Sequence, residues 1–209
     1  MRKHVKGALV AAAGLTAAVG LTFAPSAATA GTTATWTASP GGAWTAKATS
    51  PKLTDTKTGT KLTCSSSAAA GTLAPSSNGL PISSITSVSW TSCSGPLGIT
   101  FAVTPLNLPW SLNALSYNAT TGVTTGTLTG VKAHISGAGC TADFAGPTST
   151  TPATLTGSYN NSTNTLTISG GDLHAYAVSG SCLGLLNNND AAVYNAAYVL
   201  AAPQVITSP

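Results

Sequence analysis

Polar and apolar residues trade places at every second position along much of this chain. In "VKAHIS", Val131, Ala133 and Ile135 are apolar while Lys132, His134 and Ser136 are polar, and in "GITFAV" Ile99, Phe101 and Val103 alternate with Thr100 and Ala102. Successive side chains of an extended strand point to opposite faces, so a period of two predicts half-buried β-strands. Helical spacing of apolar residues is hard to find. Turn-forming clusters such as "SPGG", "SSNG", "CSGP", "ATTG", "NNSTN" and "SGG" recur at intervals of about ten residues, the spacing of a sandwich or barrel. The pattern predicts an all-β fold, an antiparallel sandwich or barrel of about ten or more short strands.

Some segments qualify that pattern. Pro105 and Pro109 interrupt "FAVTPLNLPWSL", and because proline donates nothing to a ladder, this stretch is expected at a sheet edge or crossing between sheets. "AGPTSTTPA", residues 145–153, reads as a loop and the best subdomain boundary within an otherwise single domain, 31–209. Residues 31–48 are expected to fold as a hairpin of their own. Tyr117-Asn118 precedes Cys140 by the same interval as Tyr159-Asn160 precedes Cys182, which suggests a repeated turn-strand unit, although a threonine-rich chain produces such matches cheaply.

The N-terminus follows another rule. Arg2, Lys3 and Lys6 precede the apolar run "GALVAAAGLTAAVGLTFA", and the segment "PSAATA" that follows it ends in the small residues Ala28, Thr29 and Ala30. That layout predicts a secretory signal peptide, residues 1–30, cleaved after Ala30. Gly14, Thr16 and Gly20 break the run, leaving it short of the roughly 20 apolar residues that a membrane span needs. Arg2 is followed by lysine, so the general secretion route is expected over the twin-arginine one. With no lipid-accepting cysteine at the cut, the mature chain is expected to be extracellular, released or held to the envelope non-covalently.

Composition narrows the function further. Charged residues make up only 6% of the chain, against about 25% in ordinary proteins. Beyond Ala30 there is neither arginine nor glutamate, and five scattered lysines face four aspartates. Phosphate recognition relies on arginine forks and lysine clusters, so a nucleic-acid partner is not expected. Cys64, Cys93, Cys140 and Cys182 are even in number and follow the export signal, which predicts two disulfides. Of the three pairings, Cys64 with Cys93 and Cys140 with Cys182 is favoured because each would link neighbouring strands. Zinc is the alternative, but C-x-x-C spacing is absent. No cofactor is expected.

Four places could carry chemistry or binding. In "GGDLHAYAVSGSC", alternation puts Leu173, Ala175 and Ala177 on one face and Asp172, His174 and Tyr176 on the other, so Asp172 could orient His174 as in a Ser/His/Asp site. No G-x-S-x-G nucleophile elbow accompanies them, and a polar strand face explains the same residues. A glycosidase would need two carboxylates across a cleft, and nothing brings together any two of Asp55, Asp143, Asp172 and Asp190. Asn187, Asn188, Asn189 and Asp190 offer a calcium ion only one carboxylate and read better as a turn. In "TATWTASPGGAWTAKA" a longer hairpin loop through Pro40, Gly41 and Gly42 would place Ala38 opposite Trp44, with Trp36 on the same face. Exposed, Trp36 and Trp44 would form a stacking platform for a cell-envelope glycan or lipid. Buried, they would be core, which is the commoner fate of tryptophan in a domain of this size.

The signal layout, the threonine- and serine-rich strands, the segment "LPWSLNALSYNATTG" from Leu108, the four cysteines and the closing "ITSP" together resemble secreted actinomycete β proteins of no assigned function. The resemblance implies export and an all-β fold, and brings no catalytic or binding residue with it. The expectation is a non-catalytic extracellular binding or cell-surface module. A hydrolase built around His174 and a membrane-associated or pore-forming β protein are the alternatives; a pore would require lipid-facing apolar strand segments with aromatic girdles, which are not evident.

Overall fold

The computed structural model describes residues 35–76 and 78–208; the signal segment and its cleavage point lie outside them. The strands are β1 (Thr37–Ser39), β2 (Gly42–Thr49), β3 (Lys52–Asp55), β4 (Lys61–Leu73), β5 (Ser83–Ser94), β6 (Thr100–Leu106) and β7 (Trp110–Asn118). They continue with β8 (Val123–Gly137), β9 (Cys140–Ala145), β10 (Ala153–Asn160), β11 (Thr165–Gly171), β12 (Leu173–Gly180), β13 (Ala191–Leu200) and β14 (Val205–Thr207). One turn of 3-10 helix, Pro96–Gly98, lies between β5 and β6, and the described residues contain no α-helix.

The pairings settle sandwich against barrel. β4 lies between β5 and the couple β2/β3, and β5 is followed by the couple β6/β7, then by β8, β9/β10, β11/β12 and β13. β13 pairs with β2 (Tyr198 opposite Ala48) and with β3 (Tyr194 opposite Leu53), which closes the ring. With each couple counted as one position, this is an eight-position antiparallel barrel in which chain neighbours are also sheet neighbours. The couples are long strands broken where the backbone leaves the β region: at Ser50 between β2 and β3, at Asn107 between β6 and β7, and at Gly170 and Gly171 at the end of β11, all with positive φ.

Closure explains two departures from the sequence reading. Pro105 and Pro109 mark neither an edge nor a crossing between sheets, because a closed barrel leaves no edge for them; β6 and β7 share one interior position between β5 and β8. The 145–153 segment joins β9 to β10, both of which pair with β8, so the barrel runs through it without a boundary.

Residues 31–48 do not form the expected hairpin. Its residues 31–34 lie outside the described region, and β1 pairs with β14 in a separate two-stranded ribbon, while β2 enters the barrel through eight residue pairs with β4. Gly41 and Gly42, at φ 73° and 79°, turn the chain away between the two. The ribbon covers one end of the barrel and buries Trp36, Ala38 and Ile206. Gln204 fastens it there: its Oε1 accepts from Gly41 N at 2.9 Å, and its carbonyl accepts from the Tyr159 hydroxyl at 2.8 Å.

Both disulfides, Cys64–Cys93 and Cys140–Cys182, lie toward the opposite end, and there are no free cysteines. The suggested repeat survives in its turns. Asn118 Oδ1 accepts from Thr120 N and Thr121 N, and Asn160 Oδ1 accepts from Ser162 N and Thr163 N, so each Tyr-Asn caps an equivalent hairpin. Beyond them the halves diverge, since β8 is continuous and β11/β12 is broken.

Candidate functional site: the barrel interior

The acid and imidazole that drew attention in the sequence do not combine. Asp172 Oδ1 accepts from Thr154 N at 2.6 Å, and His174 Nδ1 meets the Asp172 backbone carbonyl at 2.9 Å, not its carboxylate. Asp172 sits at the break between β11 and β12, where its side chain turns back to β10, so it does not share a strand face with His174. Alternation holds through Tyr176 and fails at Ala177, whose φ of 49° sits in a bulge that leaves it exposed.

The histidine that does have a carboxylate is His134, whose Nδ1 lies 2.6 Å from Asp143 Oδ1. The two are directly opposite on β8 and β9, and Tyr176 on β12 continues the row. This pair escaped the sequence reading because only the register of β8 against β9 joins residues nine positions apart. It lies on the outer face with both side chains about 40% exposed, and no serine hydroxyl bonds to either imidazole among the described residues. On this exposed outer face the two side chains form a cross-strand pair.

The two faces of the barrel wall differ in polarity. On β2, Thr45, Lys47 and Thr49 point outward, while Trp44, Ala46 and Ala48 are buried. A membrane-spanning barrel has the reverse polarity. Many inward positions carry only a methyl group: Ala46, Ala48, Ala69, Ala114, Ala142, Ala175, Ala192 and Ala196 are all buried. An eight-stranded barrel is just wide enough either to be filled by side chains or to hold one small ligand. Alanines at so many inward positions leave room.

That room is a row of three apolar cavities. The central one, about 70 Å³, is walled by residues from around the barrel, among them Ala69, Val88, Val131 and Leu155. It shares Trp44, Leu128, Leu166 and Ile168 with a cavity of about 60 Å³ toward the ribbon-covered end. It shares Leu53, Leu62, Ile135 and Phe144 with a third, about 70 Å³, at the disulfide end. The third forms a mouth, rimmed by the 3-10 turn and the 181–186 loop, where Leu97 and Leu183 are exposed.

One polar chain crosses this interior. Ser67 Oγ donates to the Ser89 carbonyl at 2.8 Å, so its contact with Tyr198, also 2.8 Å, must be donated by the tyrosine. Tyr198 therefore accepts from Tyr194 at 2.8 Å, and Tyr194 accepts from Trp90 Nε1 at 3.0 Å. Every hydroxyl is satisfied in one direction, as a buried network requires. Burial pushes the phenols of Tyr194 and Tyr198 above their ordinary range, Tyr194 further through its neighbour Tyr198.

At the mouth, Asp190 is used up by the protein. It is buried, Oδ2 accepts from both nitrogens of Asn187, and Oδ1 pairs with Lys57 Nζ at 3.2 Å. Burial by itself would raise its pKa, but the Asn187 hydrogen bonds and the Lys57 ammonium outweigh that and hold the carboxyl below its usual range. The 187–190 stretch is thus a turn closed by its own aspartate. All four cysteines are in disulfides, and no three His, Cys, Asp or Glu side chains among the described residues converge as a metal site.

Trp36 and Trp44 do not form a stacking platform. They are 4% and 7% exposed, on separate layers, because β1 and β2 part company at Gly41. Trp36 packs under the ribbon against Gly79. Trp44 is a lumen wall: its Nε1 donates to Ser83 Oγ at 2.9 Å, and its ring lies where a side chain on Gly71 would be. Compared with known protein families, curated proteins and solved structures, the chain matches none.

Proposed function

We propose that this protein is a secreted, non-catalytic binding module that takes an aliphatic or similarly apolar small molecule into the barrel. One observation carries the reading: three adjoining cavities inside a closed barrel, lined almost wholly by carbon, with wall residues in common. Empty apolar cavities stay dry and accept apolar guests, and a ligand spanning them would gain contact that the alanines leave unmade. Export is supported by the signal-like N-terminus, by the resemblance to secreted actinomycete proteins, and by two disulfides, which belong to oxidising compartments. The polar outer face favours a binding module over a pore. No helix of the described residues is long and apolar enough to cross a membrane.

The test uses xenon and n-hexane on the mature protein, followed by methyl resonances of Val88, Val131 and Leu155. Saturable shifts confined to lumen methyls are expected. Ala69→Leu and Ala133→Leu, which fill the central cavity, should weaken them in variants whose thermal melts show an intact fold. Unsaturable shifts spread over surface methyls would sink the reading.

A further inference from the structure

One wall residue of the mouth cavity is a buried carboxylate. Asp55 ends β3 and is 3% exposed; its Oδ1 accepts from Lys57 N at 2.8 Å and Thr58 N at 2.9 Å. Its Oδ2 is buried and has no hydrogen-bond partner. A buried carboxylate oxygen left without a donor is costly, and the cost is largest in apolar surroundings. The same cavity is lined by Leu53, Leu62, Ile135 and Phe144, the residues it shares with the central one. The nearest lysine in sequence, Lys57, is committed to Asp190 at 3.2 Å, and Lys61 lines the cavity from an exposed position at the start of β4.

We infer that the mouth is a head-group subsite in which Asp55 Oδ2 receives a protonated amine, so that the ligand is an alkylamine whose chain runs from Asp55 into the central cavity. The inference rests on the reading of the lumen as an apolar binding site and adds the polarity and direction of the ligand. An ammonium supplies the donor that Oδ2 lacks and neutralises the charge there, which an alcohol does only in part. The shared leucine, isoleucine and phenylalanine walls take the methylenes, and the chain gains about fourfold in affinity for each methylene buried.

Hexylamine, 1-hexanol and hexanoate share a chain and differ in the head. Titrated into the mature protein at neutral pH and followed by calorimetry, hexylamine should bind about tenfold tighter than 1-hexanol, and hexanoate weakest. Asp55→Asn keeps an oxygen for the Lys57 and Thr58 amides and puts an NH2 group in place of Oδ2. It should remove the advantage of the amine and leave 1-hexanol within about threefold. Should that variant not fold, the wild-type order decides alone. Equal affinity for amine and alcohol, or a preference for hexanoate through Lys61, overturns the assignment while the apolar lumen stands if xenon and 1-hexanol still bind. Failure of every probe to saturate would refute the lumen reading and this inference with it.

Discussion

The hydroxyls of Tyr194 and Tyr198 lie 2.8 Å apart inside the barrel, and the bond between them runs from Tyr194 to Tyr198 because Ser67 has already given its own proton to a carbonyl. Removing either hydroxyl strands a neighbour. Tyr194→Phe leaves the Trp90 indole without an acceptor, and Tyr198→Phe leaves Tyr194 without one. Each should cost about 1–3 kcal/mol in denaturant unfolding. The double variant should cost less than the two together, since both act in one network.

Alkali should meet the same network. Burial raises the phenols of Tyr159, Tyr194 and Tyr198. A folded pKa above the unfolded value of about 10 means that their contribution to stability is complete below that pH and is lost as pH rises past it. Phenolate absorbance from these three is expected to appear together with loss of the fold, not before. Three-residue ionisation with unchanged circular dichroism would contradict the buried placement.

In acid the weak point is the 187–190 turn. Asp190 has a depressed pKa, so what it contributes is present above the unfolded value of about 4 and disappears as pH falls through the lower folded value. Asp190→Asn should be less stable than wild type at pH 7, and the difference should close in acid. Melting temperatures of the two proteins down a pH series check this.

Trp44 is a wall of the lumen and its neighbour Gly71 is matched to it: a methyl on Gly71 would stand 2.9 Å from the indole and 2.2 Å from the Ser84 carbonyl. Trp44→Ala should therefore cost about 3–5 kcal/mol in stability. Gly71→Ala should destabilise the barrel as well, through overlap where the tryptophan leaves a void.

His174→Ala should leave ligand binding untouched and stability within about 1 kcal/mol, because it removes only a bond to a carbonyl two residues away. A larger loss of binding, with the melt unchanged, would assign His174 a role that its geometry does not give.

Alternation made the strands legible because it depends on neighbours in sequence, and an even cysteine count behind a signal-like N-terminus made two disulfides legible. Pairing around a ring depends on registers between distant strands, so closure, the His134–Asp143 pair and the Trp90–Tyr194 contact were beyond it. The Trp36–Trp44 hairpin failed for a related reason: a local turn signal competed with a β14 strand about 170 residues away and an eight-pair ladder to β4. One signal for the lumen was present. Alanine recurs at alternate positions in Trp44–Ala48, and small residues on an inward face leave volume behind.

The β1/β14 ribbon makes the fold nearly circular. Thr37 and Thr207 share a hydroxyl hydrogen bond at 2.6 Å, so a short peptide could join residue 35 to residue 208, and the chain could be reopened in the exposed 147–151 excursion between β9 and β10. Such a permuted protein should assemble the same barrel. The two new ends would then emerge beside the barrel wall, and the covered end would become a continuous stretch of chain in which Trp36 and Ile206 no longer depend on two separate tails meeting.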